Sequence, residues 1–410
     1  MAKSLKLPNN LLILSGLVLI LGCVILSCKK ANSSNPVSRS FIKSFQTDSA
    51  AVGTHVEQLP DGGFMIVASD GAGRPVLIRT DKYGNERWTK TIPYYCFTLS
   101  SNLAPHWWST QLGPNLFTLQ AGIKTTNIDT MGNIISAYTI PNSSYNDWYN
   151  GPVLKSATGY LLPMCNGGNT GAPSDNYVFV MDKNLVYQRT DVFEDKVLGG
   201  KTLQFFVYGA TSSGAYYIWG QKFPRNPGFW TWSDNAKIFV ARVQGKAPAT
   251  ETIIEGTNQQ YYDSPEFQVP GPDSSIILLA QRTDYKTNSI YPLVLKFDKN
   301  QTLVWEKVFP STLGSVNLFN MSSCSDGGFI MTGSFRGFGF TDLYPCALKI
   351  DQSGNEQWGK TMFSVGNGEL LYSITTSDGG YGFVGYTNAF GKGKNGNRIL
   401  FIKTDANGNL

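Results

Sequence analysis

Two patterns of apolar and polar positions alternate along this chain. Segments such as "FMIVAS" from Phe64 and "SIILLAQ" from Ser275 are apolar at nearly every position. Others, "ERWTKTI" from Glu86, "LVWEKVF" from Leu303 and "EQWGKTM" from Glu356, alternate. Neither follows the 3.6-residue helical period, so both read as β-strands. A strand apolar on both faces has to be covered on both faces, whereas an alternating strand keeps one face in water.

The doubly apolar segments recur behind a common turn. "PDGGFMIVAS" at Asp61, "SDGGFIMTGS" at Asp326 and "SDGGYGFVGY" at Asp378 are the clear copies. "GPNLFTLQAG" from Gly113, "ATGYLLPMCN" from Ala157, "SSGAYYIWGQ" from Ser212 and "PDSSIILLAQ" from Pro272 are weaker ones. The spacing of roughly 45 to 60 residues is that of propeller blades. In each unit a first strand such as "THVEQL" or "LLYSITT" enters the turn, whose glycines supply the positive φ of a tight hairpin. Third strands follow as "VLIRTD", "VFVMD", "IFVARV", "LVLKFD" and "CALKID". A second turn, Asp-x-x-Gly-Asn, stands at Asp81, Asp129, Asp351 and Asp405, and the alternating segment makes a fourth strand. "QGKAPATETII" replaces that turn in the fourth unit. The expectation is an all-β, seven-bladed propeller of four-stranded antiparallel blades, one domain over residues 40–410.

The last unit stops at "FIKTDANGNL" without a fourth strand. "SRSFIKSFQ" from Ser38 to Gln46 has that strand's alternation and no unit of its own. Phe41 to Phe45 should therefore pair beside "LFIKTD" and close the ring with one strand from each end of the chain.

Composition agrees. Charged residues are 15% and aromatics 13%, with 43 glycines, against about 25% charged in an average soluble domain.

The amino-terminal segment differs. Lys3 and Lys6 precede "LLILSGLVLILGCVILSC", and polar "KKANSSNPVSRS" follows, the layout of an export signal. Ile25, Ser27 and Cys28 resemble the lipobox of bacterial lipoproteins, where cleavage before the cysteine frees a thiol for lipidation. The expected boundaries are residues 1–27 as signal peptide and 28–39 as flexible tether, with the lipid on Cys28 holding the body to a membrane. "ILGC" ending at Cys23 is a competing box, and an uncleaved anchor is a further alternative. Lys29, where a retention signal would place Asp, favours the outer membrane by resemblance to lipoprotein sorting. Loss of Lys3 and Lys6 from 34 basic residues leaves 32 against 29 acidic, too even a balance for a nucleic-acid partner. A monomer is expected.

"LIRTDKYGNERWTKTI" from Leu77 resembles the Asp-x-x-Gly-x-x-x-Trp blade ending of the quinoprotein-like propeller superfamily. The combination of Asp-Gly-Gly with Asp-x-x-Gly-Asn is similar to propeller lipoproteins of Gram-negative envelopes. The resemblance spans nearly all of residues 40–410 and implies architecture; propellers host unrelated activities.

Chain direction puts the two short turns of every unit at one end and the long connections at the other, where binding residues tend to be carried. The long connections hold His106, Trp107, Trp108, Trp148, Tyr149, Trp230, Trp232, Tyr261, Tyr262, Phe338 and Phe340. These are the candidate ligand-binding residues. In "GFWTW", if extended, Trp230 and Trp232 point the same way about 7 Å apart, a spacing suited to stacking on sugar rings or clamping a hydrophobic segment. Trp88, Trp305 and Trp358 belong to the repeat and read as packing between blades.

Catalytic chemistry is sparse. His55 sits in a first strand and reads as structural, and His106 is the better candidate base. No phosphate loop, zinc-protease motif or nucleophile elbow occurs, and nothing calls for a cofactor or metal. Asp147, Asp234, Asp263, Glu266, Asp284, Asp342 and Glu369 offer carboxylates for a glycosidase pair, with solvated loop acids the plainer reading. Beyond the signal region stand Cys96, Cys165, Cys324 and Cys346. The last two fall on strands two apart, roughly 9 to 10 Å, beyond the ~7 Å a disulfide spans, so free thiols are expected. The sequence favours a non-catalytic module that binds a glycan or envelope protein. The alternatives are a quinoprotein-like or polysaccharide-cleaving enzyme and an outer-membrane assembly scaffold.

Overall fold

The computed structural model describes residues 40–47, 50–92, 108–113, 116–121, 124–139, 149–150, 154–156, 158–165, 176–184, 186–193, 201–210, 216–223, 237–244, 247–254, 261–284, 286–310, 314–337, 341–390 and 396–410. The segments expected as signal peptide (1–27) and tether (28–39), with Cys23 and Cys28, lie outside them.

The chain enters the body through β1 (Phe41–Phe45). Sheet 1 holds β2 (Ala51–Gln58), β3 (Phe64–Asp70), β4 (Pro75–Thr80) and β5 (Glu86–Thr91). Sheet 2 holds β6 (Trp108–Gly113), β7 (Leu116–Ala121), β8 (Lys124–Asp129) and β9 (Ile134–Thr139). In sheet 3 two short segments, β10 (Tyr149–Asn150) and β11 (Leu154–Lys155), both pair with β12 (Gly159–Cys165), followed by β13 (Asn176–Asp182) and β14 (Tyr187–Phe193). Sheet 4 is β15 (Lys201–Ala210), β16 (Tyr216–Phe223), β17 (Lys237–Gln244) and β18 (Ala247–Ile254). Sheet 5 is β19 (Tyr261–Pro270), β20 (Ile276–Asp284), β21 (Ser289–Phe297) and β22 (Leu303–Val308). Sheet 6 is β23 (Gly314–Ser323), β24 (Phe329–Gly337), β25 (Tyr344–Ile350) and β26 (Glu356–Thr361). Sheet 7 is β27 (Gly368–Thr375), β28 (Tyr381–Thr387) and β29 (Arg398–Thr404), with β1 as its fourth strand.

The doubly apolar strands are the middle strands, and their two faces feed two cores. Ile276, Leu278 and Ala280 pack with Trp219 and Val240 of sheet 4, while Ile277 and Leu279 of the same strand pack with Leu318 and Met331 of sheet 6. Ile330 and Ala347 carry the packing on to Phe383 and Leu400 of sheet 7. Phe401 and Val384 then pack with Phe64, Ile66 and Ala68 of sheet 1. Sheets 4, 5, 6, 7 and 1 are thus a run of five regular blades in an all-β propeller of antiparallel four-stranded sheets. The expectation of seven like blades is narrowed by the remaining two sheets. Sheet 2 adds Ile128 to a core with Met65 and Leu77 of sheet 1, and sheet 3 has a split first strand; the connection between them, 140–148, lies outside the described residues.

Both turns build a fixed network. Asp81 Oδ1 accepts from the N–H groups of Tyr83 (2.8 Å) and Asn85 (2.9 Å), and its Oδ2 from Asn85 Nδ2 (3.0 Å). Asp129, Asp351 and Asp405 repeat the same three bonds. Burial works to raise the Asp81 carboxyl, and the bonds from Asn85 and Tyr83 outweigh it, holding the group below its ordinary range. The Gly of each turn has positive φ and seats an aromatic ring from the preceding sheet. A Cβ on Gly132 would meet Trp88, one on Gly354 would meet Trp305, and one on Gly408 would meet Trp358. These three tryptophans pack between blades, as expected.

The first turns that carry an Asp, three Asp-Gly-Gly and one Asp-Ser-Ser, hold an interaction that the sequence reading missed. Asp61 pairs with Arg79, Asp273 with Lys296 (2.9 Å), Asp326 with Lys349 (2.8 Å) and Asp378 with Lys403 (2.6 Å). Each cation stands two residues before the Asp of the second turn, in "IRTD", "LKFD", "LKID" and "IKTD". Sheets 2 and 3 lack both partners, with Asn127 and Val180 at the cation position and first turns that read "GPN" and "ATG"; sheet 4 keeps a cation, the half-buried Arg242, while its first turn, "SSG", has no Asp. Outside sheet 4 the pair is present or absent as a unit, as follows where a buried cation without its carboxylate is costly.

β1 takes the register of a fourth strand. Phe41 stands opposite Lys403, as Trp88 stands opposite Arg79 and Trp358 opposite Lys349. Cys324 and Cys346 are free thiols, as expected. Burial pushes Cys324 up to about 11 and Cys346 up to about 12, so both stay protonated and unreactive at neutral pH.

Candidate functional site

In an antiparallel four-stranded sheet the start of the first strand and the end of the second lie together, opposite the two hairpin turns. β6 starts at Trp108, β10 at Tyr149 and β19 at Tyr261 and Tyr262. The candidate aromatics of the described strands therefore stand at like ends of sheets 2, 3 and 5. His106, Trp107, Trp148, Trp230, Trp232, Phe338 and Phe340 lie outside the described residues. By sequence they belong to the connections joining β5 to β6, β9 to β10, β16 to β17 and β24 to β25. Of the candidates, Tyr261 is the one whose side-chain surroundings are described.

Tyr261 sits on a charged cluster. Arg282 lies opposite Asp263 in the β19–β20 register and donates to both its carboxylate oxygens at 2.8 Å. The third guanidinium nitrogen, Nη1, lies 2.7 Å from Glu306 Oε1, and the guanidinium carbon is 5.7 Å from the centre of the Tyr261 ring. Arg282 and Asp263 are both buried. The hydrogen bonds to Asp263 raise the Arg282 pKa above its already high value, against the opposing effect of burial. The cation is permanently charged, neutralised on two sides, and holds the Tyr261 ring by cation–π attraction. Arg282 went unrecognised in the sequence because "QRTDY" reads as an ordinary polar connection; no motif marks it.

The carboxylates offered for acid–base work are mostly otherwise engaged. Asp263 is paired with Arg282, and Asp284 accepts the N–H of Lys286 at 2.8 Å as a turn residue. Glu369 is raised by burial and accepts from Ser334 Oγ at 3.2 Å. Glu266, the extra residue of the bulge in β19, is pushed up to about 8 by burial. Asp342 is described without a hydrogen bond, and Asp147 and Asp234 lie outside the described residues.

First strands border a second candidate region. β2, β23 and β27 line a cavity of about 490 Å³ through Glu57, Gln58, Ser322, Tyr372, Ser373 and Thr375. His55 is buried beside it, with Nε2 2.9 Å from Glu57 Oε1 and its ring 3.9 Å from that of Tyr372. Asn320 Oδ1 accepts from the Ser373 N–H and hydroxyl, both at 3.1 Å, across the join of sheets 6 and 7. His55 is held through Nε2 and ring packing, whereas its buried Nδ1 has no hydrogen-bond partner among the described residues. Among the described residues no group of three or more His, Cys, Asp or Glu is placed to hold a metal ion.

No known family model matches the chain, and no curated protein matches it. Solved structures similar to it include a protein of unknown function from Bacteroides caccae, at 10% identity and TM-score 0.41 over 77% of this chain and 94% of that one. YCF48 from Cyanidioschyzon merolae is similar at 9% identity and TM-score 0.47, covering 89% and 98%. An endo-arabinase from Bacteroides thetaiotaomicron is similar at 11% identity and TM-score 0.40, covering 67% and 99%. At such identities and TM-scores no activity carries over from these proteins to this chain.

Proposed function

We propose that this chain is a lipid-anchored propeller of the cell envelope that binds a glycan or an envelope protein through its long-connection end, without catalysing a reaction. In this reading residues 1–27 are the signal peptide, Cys28 carries the lipid in the outer membrane, residues 28–39 are the tether, and 40–410 form a monomeric ring of seven blades closed by β1. The observation that carries the binding face is strand direction, which sets Trp108, Tyr149, Tyr261 and Tyr262 at like ends of their sheets. The pairing of Asp263 with Arg282 supports a non-catalytic role, because both carboxylate oxygens are taken up by the buried guanidinium. Ring closure is supported by the β1–β29 pairing and by the core that sheets 7 and 1 share.

The test is an array of glycans and envelope proteins probed with the native protein and with a Trp230→Ala/Trp232→Ala variant. The variant should lose the native signal about tenfold or more, the cost of two stacking aromatics. Undiminished binding would place the site elsewhere, and turnover of an array glycan would favour the enzyme.

A further inference from the structure

The opposite end of sheet 5 departs from its own repeat. In sheet 6 the Lys349 ammonium spends all three N–H donors, on Asp326 (2.8 Å), the Ile350 carbonyl (3.0 Å) and Gln357 Oε1 (2.8 Å). Gln357 is the extra residue of the bulge between β25 and β26. The same bulge in sheet 5 holds Val304, which has no acceptor to offer and is 54% exposed. The Lys296 ammonium has one hydrogen bond among the described residues, to Asp273 at 2.9 Å.

The tryptophan beside it is also left uncapped. Lys90 lies 5.2 Å from the Trp88 ring and donates to the Met131 carbonyl of the next sheet. Lys360 lies 5.6 Å from the Trp358 ring and donates to the Asn407 carbonyl. Lys307, two residues after Trp305, makes neither contact among the described residues. Where sheet 6 is capped, sheet 5 has a cavity of about 460 Å³ lined by Asp273, Lys296, Val304, Trp305, Gln352 and Ser353.

We propose that this cleft, between sheets 5 and 6 at the hairpin end, binds a neutral pyranoside. Asp273 and Lys296 offset each other's charge, so the cleft favours no ion. They leave spare ammonium donors and a half-exposed carboxylate acceptor at the edge of an indole ring. A hydroxyl-rich ring with an apolar C–H face satisfies both demands, and the volume lies in the range of small-ligand sites. The site is separate from the long-connection end and does not depend on binding there.

The experiment is titration of the full-length protein, followed by tryptophan fluorescence and calorimetry, with the methyl glycosides of glucose, galactose and mannose, N-acetylglucosamine, cellobiose and maltose. At least one should bind saturably in the millimolar range. Val304→Gln, which installs the cap that sheet 6 carries, should weaken that binding about tenfold or more with the fold intact. Trp305→Ala should abolish it, and Trp230→Ala/Trp232→Ala should leave it unchanged. The proposal is overturned if none of these sugars binds saturably, if Val304→Gln binds like the native protein, or if binding is lost in the Trp230/Trp232 variant instead.

Discussion

Removal of residues 38–47 is expected to destabilise the whole propeller by about 5 kcal/mol or more, a sum of one lost core phenylalanine and an unpaired strand edge. β1 lies along β29 from Phe41 opposite Lys403 to Phe45 opposite Ile399. Phe45 is in the core shared by sheets 7 and 1, and Phe41 meets Phe401 edge to face at 5.3 Å. Phe41 also occupies the seat on the next sheet's turn that tryptophan fills elsewhere: a Cβ on Gly84 would meet its ring. Lys43 reaches Asn85 Oδ1 at 3.1 Å, as Lys360 reaches Asn409 Oδ1 at 2.6 Å. Without β1 the last sheet loses its fourth strand, and sheet 1 loses the neighbour that covers its turn. Urea unfolding of the deletion and native proteins measures the effect, and equal midpoints would remove β1 from any structural role.

Asp326→Ala should cost about 3 kcal/mol, because it leaves the Lys349 ammonium buried with its carboxylate gone. Lys349 is 1% exposed, and the remaining acceptors, Gln357 and the Ile350 carbonyl, are neutral. Adding Lys349→Met should return most of that loss, since a thioether of similar length removes the charge that needed pairing. Sheets 2 and 3 already show the paired absence. Denaturation of the two single variants and the double variant gives the coupling. Simple additivity would mean that Lys349 is not held by Asp326.

Much of this fold was legible because two local rules coincide. A doubly apolar strand demands cover on both faces, and Ile276 to Ala280 supply cores on both sides of sheet 5. The seam was legible because "FIKSF" and "WGKTM" share an alternation, and β1 adopts the register that this implies. The buried Lys and Arg of the third strands were present in the aligned motifs and overlooked. A cation inside "IRTD" looks like a solvated strand residue until its carboxylate partner, some twenty positions away, is placed beside it. Sheet 3 shows the limit from the other side: nothing in "NSSYNDWYN" or "GPVLKSATG" marks a first strand split into β10 and β11. The candidate binding face was legible as an end of the molecule through strand direction, but not as a set of contacts. Long connections carry no periodicity from which side-chain positions follow.

The claim on which the rest depends is that the two ends of the chain jointly complete the last blade of a ring. Gln46 and Arg398 continue the β1–β29 ladder by one position, and their side chains meet at 2.6 Å. Treatment of a Gln46→Cys/Arg398→Cys variant with a short bismaleimide measures that neighbourhood directly. Cys346 is buried and Cys324 half-buried, and the native protein, which carries the same other cysteines, serves as control. The account predicts an intramolecular cross-link in the monomer that raises resistance to urea. No cross-link in the folded protein, or one formed solely between molecules, would contradict it.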